Sequence, residues 1–234
     1  MSPVDDAVLW CIRMGVVPYP DALALQKRLE AARQEDRVPD VLLLLEHPPT
    51  YTRGRRSTPD ELPMGEAWYR AQGIEVLDTD RGGRVTYHGP GQLVGYPVVS
   101  LRPYGDDVHE YIRRIERLVV TVLGTYGIAA GPVEGLTGVW TAERRKIASI
   151  GIHVSRGVTT HGFAVNVNND LQPFEWIVPC GIDHCRMSSV ARELGAAQDL
   201  NELVSRVGEE FGLLFGREPI EVEAGRLEEL EVAA

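Results

Sequence analysis

Residues 81–101 hold five glycines, Gly82, Gly83, Gly89, Gly91 and Gly95, mixed with the strand formers Val85, Thr86, Tyr87, Val94, Tyr96, Val98 and Val99. That mixture specifies short strands joined by tight turns, because glycine enters the backbone conformations that turns require. Strand signals recur on both sides. In 7–17, Val8, Trp10 and Ile12 alternate with Leu9, Cys11 and Arg13, and Pro18 and Pro20 end the run. The aliphatic run Val41 to Leu45, after Pro39 and Asp40, reads as a short buried strand that His47-Pro48-Pro49 breaks. Strands are also expected at 138–140, 146–154 and 161–167.

Helices are interspersed among them. Asp21 is expected to cap a helix whose Ala22, Leu25, Leu29 and Ala32 recur at helical spacing. Asp107 with Glu110, and Asp199 with Glu202, are capping-box patterns. The first precedes the stripe Tyr111, Ile115, Leu118, Val119 and Val122, closed by Gly127; the second precedes Leu203, Val207, Phe211 and Leu214. Strands outnumber helices, so the class is α+β. Residues 53–66, polar and proline-rich, read as a mobile loop, and the acidic tail 217–234 as peripheral. No repeat or long linker divides the chain, so residues 1–234 are expected to form one domain.

Composition narrows the function classes. A chain of 234 residues, 44% hydrophobic and 25% charged, buries ~70% of its unfolded surface without needing covalent staples. A net charge of -10 argues against general nucleic-acid binding, although a local basic patch can still meet an acidic partner. The Val41–Leu45 run falls far short of the ~20 apolar residues that span a bilayer. Asp5 and Asp6 precede any apolar run and no basic segment leads it, so neither a signal peptide nor membrane association is expected. Three cysteines, Cys11, Cys180 and Cys185, are odd in number and too few for a disulfide scaffold. A reducing, cytoplasmic setting follows.

Among chemistry-bearing motifs, the P-loop pattern is absent, Gly89, Gly91 and Gly95 miss the dinucleotide spacing by one residue, and Ser149 lacks the glycine of a nucleophile elbow. Cys180 lies in Val178-Pro179-Cys180-Gly181, a turn that can expose the thiol and offer backbone N–H groups to a developing oxyanion; the alternative is a buried small hydrophobe. Cys180, His184 and Cys185 offer zinc-ligand atoms, but adjacent His and Cys seldom face one metal and no fourth ligand follows, so no metal is expected. Cys11 alternates in an apolar strand and reads as core. His47, His88 and His161 lie at strand edges, each equally readable as a hydrogen-bonded structural histidine; His88, beside Arg81, Arg84 and Tyr87, has the best claim to face a ligand. Of 24 basic residues only Lys27 and Lys146 are lysine. Arginine cannot exchange a proton near neutrality, so a retained lysine draws attention. Arg53, Arg55, Arg56, Arg81 and Arg84 cluster, either as a solvated face or as a docking patch for an acidic partner.

Three segments together resemble the octanoyltransferases of lipoate biosynthesis. They are Arg81-Gly82-Gly83-Arg84-Val85-Thr86-Tyr87-His88-Gly89-Pro90-Gly91-Gln92-Leu93; Lys146-Ile147-Ala148-Ser149-Ile150-Gly151; and His161-Gly162-Phe163-Ala164 with Asn166 through to Pro179-Cys180-Gly181. Leu45-Glu46-His47-Pro48 fits as well. The resemblance covers 40–190 most strongly. It implies mixed β-sheets flanked by helices, related to the catalytic domain of biotin protein ligases and lipoate ligases. It implies transfer of an octanoyl group from octanoyl-acyl carrier protein to a lysine of lipoyl domains, those of 2-oxoacid dehydrogenase complexes and of the glycine cleavage H protein, through a cysteine thioester and without a cofactor. It assigns Cys180 as nucleophile and Lys146 as its partner. The substrate-binding segments it assigns are Arg81, Gly82, Gly83, Arg84, Val85, Thr86, Tyr87 and His88; Ser149, Ile150 and Gly151; and Gly162, Phe163 and Ala164.

The chemistry of these residues agrees with that assignment. A thioester donor suits a thiol nucleophile. A free thiol, with pKa ~8.5, gains thiolate character beside an ammonium. Lysine can then pass a proton to the leaving thiol. An ATP-dependent lipoate or octanoate ligase on the same fold would not need Cys180. A lipoyl-domain amidotransferase would also use it, and a non-catalytic acyl- or carrier-binding module would keep its activity without it.

Overall fold

The computed structural model describes residues 7–178 and 185–227. Strand β1 (Val8–Val16), helix α1 (Tyr19–Gln34) and strand β2 (Asp40–Glu46) open the fold, with β1 and β2 adjacent and parallel. Pro18 occupies the N-cap of α1, and Pro20 falls in the first turn, where a missing N–H costs nothing. Asp21, the expected cap, stands instead inside that turn, favourably placed against the helix dipole.

The aliphatic run in β2 is divided by the two-residue period of a strand. Leu42 and Leu44 enter the core on one face, while Val41, Leu43 and Leu45 enter that on the other. From β2 the large sheet continues antiparallel through β6 (Gln92–Val98), β10 (Val158–Asn166), β9 (Lys146–Ser155), β8 (Leu136–Thr141) and β7 (Ala130–Val133). Helix α3 (Val108–Thr125), the short α4 (Val190–Leu194) through Val190, and α5 (Leu200–Phe215) pack on one face, and α1 covers the other. Asp107 accepts the N–H groups of His109 and Glu110, and Asp199 that of Asn201, so both expected caps are made. Glu110 and Glu202 do not close the boxes; they bind Arg114 with Arg117, and Arg206.

A second, three-stranded sheet runs β4 (Glu75–Asp78), β3 (Thr50–Arg53), β5 (Thr86–His88), with helix α2 (Glu66–Ala71) between β3 and β4. Its core packs the rings of Tyr51, Tyr69, Tyr87 and Phe174 among aliphatic side chains such as Ile74, Val76 and Val85. The sequence reading did not anticipate β3, α2 and β4, which are four to six residues long. The 53–66 segment read as a loop contains a 3-10 turn (Pro59–Glu61) and buries Glu61 and Leu62. The tail needs a larger correction. Strand β11 (Glu218–Glu221) pairs parallel with β1, and Val222 and Leu227 are buried in the α1-side core. Main-chain pairing at a sheet edge tolerates the exposed acidic side chains that made this segment look detached. Among the described residues, no helix is long and apolar enough to cross a membrane.

Candidate active site

Where residues 81–88 meet β9 and β10, a cavity of about 420 Å³ opens, a size suited to a small ligand. The Gly82 N–H donates to the Ile152 carbonyl at 2.8 Å, which pins the loop to β9. Gly151 makes this approach possible, since a Cβ there would lie 2.8 Å from the Gly82 carbonyl oxygen. Of the expected binding residues, Arg81, Gly82, Gly83, Arg84, Val85, Thr86, His88, Ser149, Ile150, Gly151, Gly162, Phe163 and Ala164 all line the cavity. Tyr87 does not. In β5, Thr86 and His88 face the cavity, so the intervening side chain turns the other way and packs on Tyr51 and Phe174.

Two groups brace this wall. The Arg81 guanidinium is buried and donates to the Thr52 carbonyl (2.6 Å) and hydroxyl. Glu61, 1% exposed, accepts the Val85 N–H and an Arg84 N–H, while its own carbonyl accepts the N–H of Val178. Glu61 thus ties the binding loop to the chain just before Cys180. No sequence pattern pointed to it.

Lys146 opens β9, is buried at 3% exposure, and lines the cavity. Its ammonium lies 5.4 Å from the centre of the Trp140 ring, a cation–π distance. Gly138, at φ +126°, lies beneath its stem: a Cβ there would sit 2.8 Å from Lys146 Cε and 2.7 Å from the Ala148 carbonyl oxygen. The Gly138 N–H is held in turn by the buried carboxylate of Glu116. The main chain of Lys146 is bracketed by 185–189: its N–H donates to Arg186, and its carbonyl accepts from Ser188, both at 2.8 Å. Cys180 and His184 lie outside the described residues. Cys11 is buried in the main core, with burial pushing its thiol up to about 11; Cys185 is half-buried.

His88 and His161 line the cavity with Tyr19 and Tyr96, and His47 packs against Tyr19, His88 and Tyr96; neighbouring ring centres lie 5.1–6.3 Å apart. His47 donates from Nδ1 to the Val17 carbonyl and accepts from the Tyr96 hydroxyl at Nε2. Burial lowers it to about 4, against the Val17 bond. His161 stands at φ +57°, donates to Asp80 at 2.7 Å and turns Nδ1 toward the Tyr19 hydroxyl. Burial lowers it to about 4 despite Asp80. Burial, then His47 and Arg81, hold His88 well below the usual range. Burial alone would raise Asp80, but bonds from Lys27 and His161 outweigh it and hold its carboxyl well below the usual carboxylate range. Lys27, the second lysine, therefore anchors the start of the 81–88 segment through Asp80. At neutral pH this wall is uncharged at its histidines; His47 and His161 use both ring nitrogens internally, while His88 donates from Nδ1 to the Gln92 amide oxygen. Tyr19 and Tyr96, absent from the expected site, reach it only through tertiary packing, as do Val108, Ile112, Leu136 and Thr137. Among the described residues, no group of three His, Cys, Asp or Glu is placed to hold a metal.

A mixed sheet with helices on both faces and a second small sheet form the fold shared by the catalytic domains of lipoate and biotin protein ligases. Residues 18–212 match the family model described as lipoyl protein ligase A/B catalytic domain. A putative lipoate protein ligase from T. acidophilum superposes with a TM-score of 0.74 at 17% identity, over 95% of this chain and 91% of that one. Lipoate-protein ligase A bound with ATP gives 0.71 at 17%, over 97% and 92%. Biotin protein ligase from Aquifex aeolicus in complex with biotin and ATP gives 0.51 at 14%, over 89% and 70%. Sequence similarity is more specific. An octanoyltransferase of Myxococcus xanthus is 45% identical over 89% of this chain, which spans only 60% of that longer protein; one of Solibacter usitatus is 47% identical over 88% of this chain and 92% of its own length. The chain belongs to the octanoyltransferase family.

Proposed function

We propose that this protein transfers an octanoyl group from octanoyl-acyl carrier protein to a lysine of lipoyl domains, with Cys180 as acyl carrier and Lys146 as proton carrier. The observation that carries the reading is Lys146: a buried lysine in the cavity wall, main-chain-bonded to the segment that follows Cys180. The names of the relatives support the acyl group. The T. acidophilum lipoylation structure, in which a bipartite lipoate protein ligase is described with its E2 lipoyl domain, supports a lipoyl-domain acceptor.

In the first step the Cys180 thiolate attacks the donor's thioester carbonyl. A new C–S bond forms, the old one breaks, and the Lys146 ammonium gives its proton to the leaving thiolate. In the second step the acceptor's amine attacks the Cys180 thioester. The amide forms, Cys180 leaves as thiolate, and the amine's proton returns to Lys146. Ile150, Ile152, Phe163 and Ala164 supply apolar wall for the chain, each methylene gaining about 0.8 kcal/mol on burial. His47 and His161 spend both ring nitrogens on internal bonds, and burial keeps His88 a weak base beside Lys146.

The test is intact-mass measurement after incubation with octanoyl-acyl carrier protein alone. The expected result is one hydroxylamine-sensitive octanoyl adduct, lost in Cys180→Ala, retained in Cys185→Ala and slowed in Lys146→Arg. Absence of an adduct on protein that still transfers octanoate to a lipoyl domain would replace the thioester route with direct transfer. A requirement for ATP would replace the transferase with a ligase.

A further inference from the structure

The net charge of -10 makes uncompensated positive charge informative. Nearly every described lysine and arginine meets a carboxylate, another acceptor or an aromatic ring. Arg53 binds Asp78 and Glu66, Arg84 binds Glu61, Arg81 binds Thr52, and even the exposed Arg226 lies over Trp10. Three of the five arginines that cluster in sequence are therefore already engaged. Among the described residues, four exposed arginine side chains have no ion pair, hydrogen bond or ring contact: Arg55, Arg56, Arg144 and Arg186.

Their positions are not scattered. Arg55 and Arg56 sit on a loop whose N–H groups donate to the carbonyls of Arg81 and Gly83, and Arg56 itself lines the cavity. Arg144 lies two residues before Lys146, and the Arg186 carbonyl accepts the Lys146 N–H. The four thus stand on chain segments flanking the cavity and its lysine. Guanidinium groups left unpaired in an acidic protein form a local positive field, which steers and orients an anionic partner.

We propose that these four arginines form the docking rim for the acyl donor, an acidic carrier protein that presents the acyl thioester; this rests on the function proposed above. The donor fits better than the acceptor on charge. The acceptor's reacting group is a lysine ammonium, which an uncompensated arginine rim repels. The thioester end of the donor carries no cation, and an acidic carrier surface complements the rim.

The experiment compares wild-type protein with Arg55→Glu/Arg144→Glu and with Arg55→Gln/Arg144→Gln, substitutions outside the cavity lining and outside the bracket around Lys146. Single-turnover acylation is followed by intact mass as a function of salt. The donors are octanoyl-acyl carrier protein and the uncharged surrogate octanoyl-N-acetylcysteamine. With the carrier, the charge-reversal variant is expected to acylate about tenfold more slowly at low salt and to lose its salt dependence, with the Gln variant intermediate. Surrogate acylation and the KM for a lipoyl domain are expected to stay at wild-type values. Equal slowing with the surrogate, or a raised lipoyl-domain KM with unchanged donor kinetics, overturns the donor rim. A wild-type adduct from both donors with no effect of either variant overturns the rim alone. No wild-type adduct from either donor overturns the function on which it rests.

Discussion

Lys146 occupies its place because two neighbours yield to it. Gly138 has no side chain where the lysine stem passes, and Glu116 holds the Gly138 N–H in a conformation closed to most residues. Gly138→Ala is expected to slow cysteine acylation by about tenfold or more, equivalent to ~1.4 kcal/mol, by displacing the ammonium. The check is single-turnover labelling of the variant beside its melting curve. Glu61→Ala is expected to cost on the order of 1–3 kcal/mol in urea unfolding, because the buried Val85 N–H loses its acceptor. Much of the candidate site is legible from residue order: the glycine-rich segment and the Lys146 strand are continuous stretches whose chemistry reads locally. Tyr87 is the instructive exception: it lies in the same segment as its cavity-lining neighbours, but strand alternation turns its side chain onto Tyr51 and Phe174. The arginine cluster misleads for a related reason. The carboxylates that engage Arg53 and Arg84, Asp78 and Glu61, stand 25 and 23 residues away and meet them only in the folded chain.

At the scale of elements, α3 and α5 are legible because caps and apolar stripes agree. Asp107→Ala and Asp199→Ala are each expected to destabilise by ~1 kcal/mol in chemical denaturation and to leave the acylation rate unchanged. α1 is legible in its stripe but not in its start, where Pro18 and Pro20 set the boundary that Asp21 suggested. β3, α2 and β4 give weak signals because four to six residues hold too little periodicity to stand out. β11 gives none: its bonds to β1 are main-chain bonds, and its side chains carry no trace of them.

At the scale of the whole molecule, the buried histidines set an acid limit. His47 and His161 titrate near 4 when folded, against about 6.5 when unfolded. The unfolded chain therefore binds more protons between these values, and stability falls as pH drops through that window. Between pH 7 and pH 5 the expected loss is about 2 kcal/mol for each of the two. Urea unfolding at both pH values checks the sum, and His47→Gln should remove its own share of the difference. Asp80, depressed below the ordinary carboxylate range, stabilises above its unfolded pKa and weakens only at still lower pH, so the two effects separate along the titration.

The bracket around Lys146 is built from peptide groups: residues 186 and 188 contribute only an oxygen and an N–H. Peptide groups are common to every residue, so the spacing between the Lys146 strand and residues 186–188 is inherited from the backbone. The exposed Arg186 side chain takes no part in it, whereas that of Ser188 is fully buried and donates to Glu193. A proline at position 188, which has no N–H to give, is the substitution this design cannot absorb.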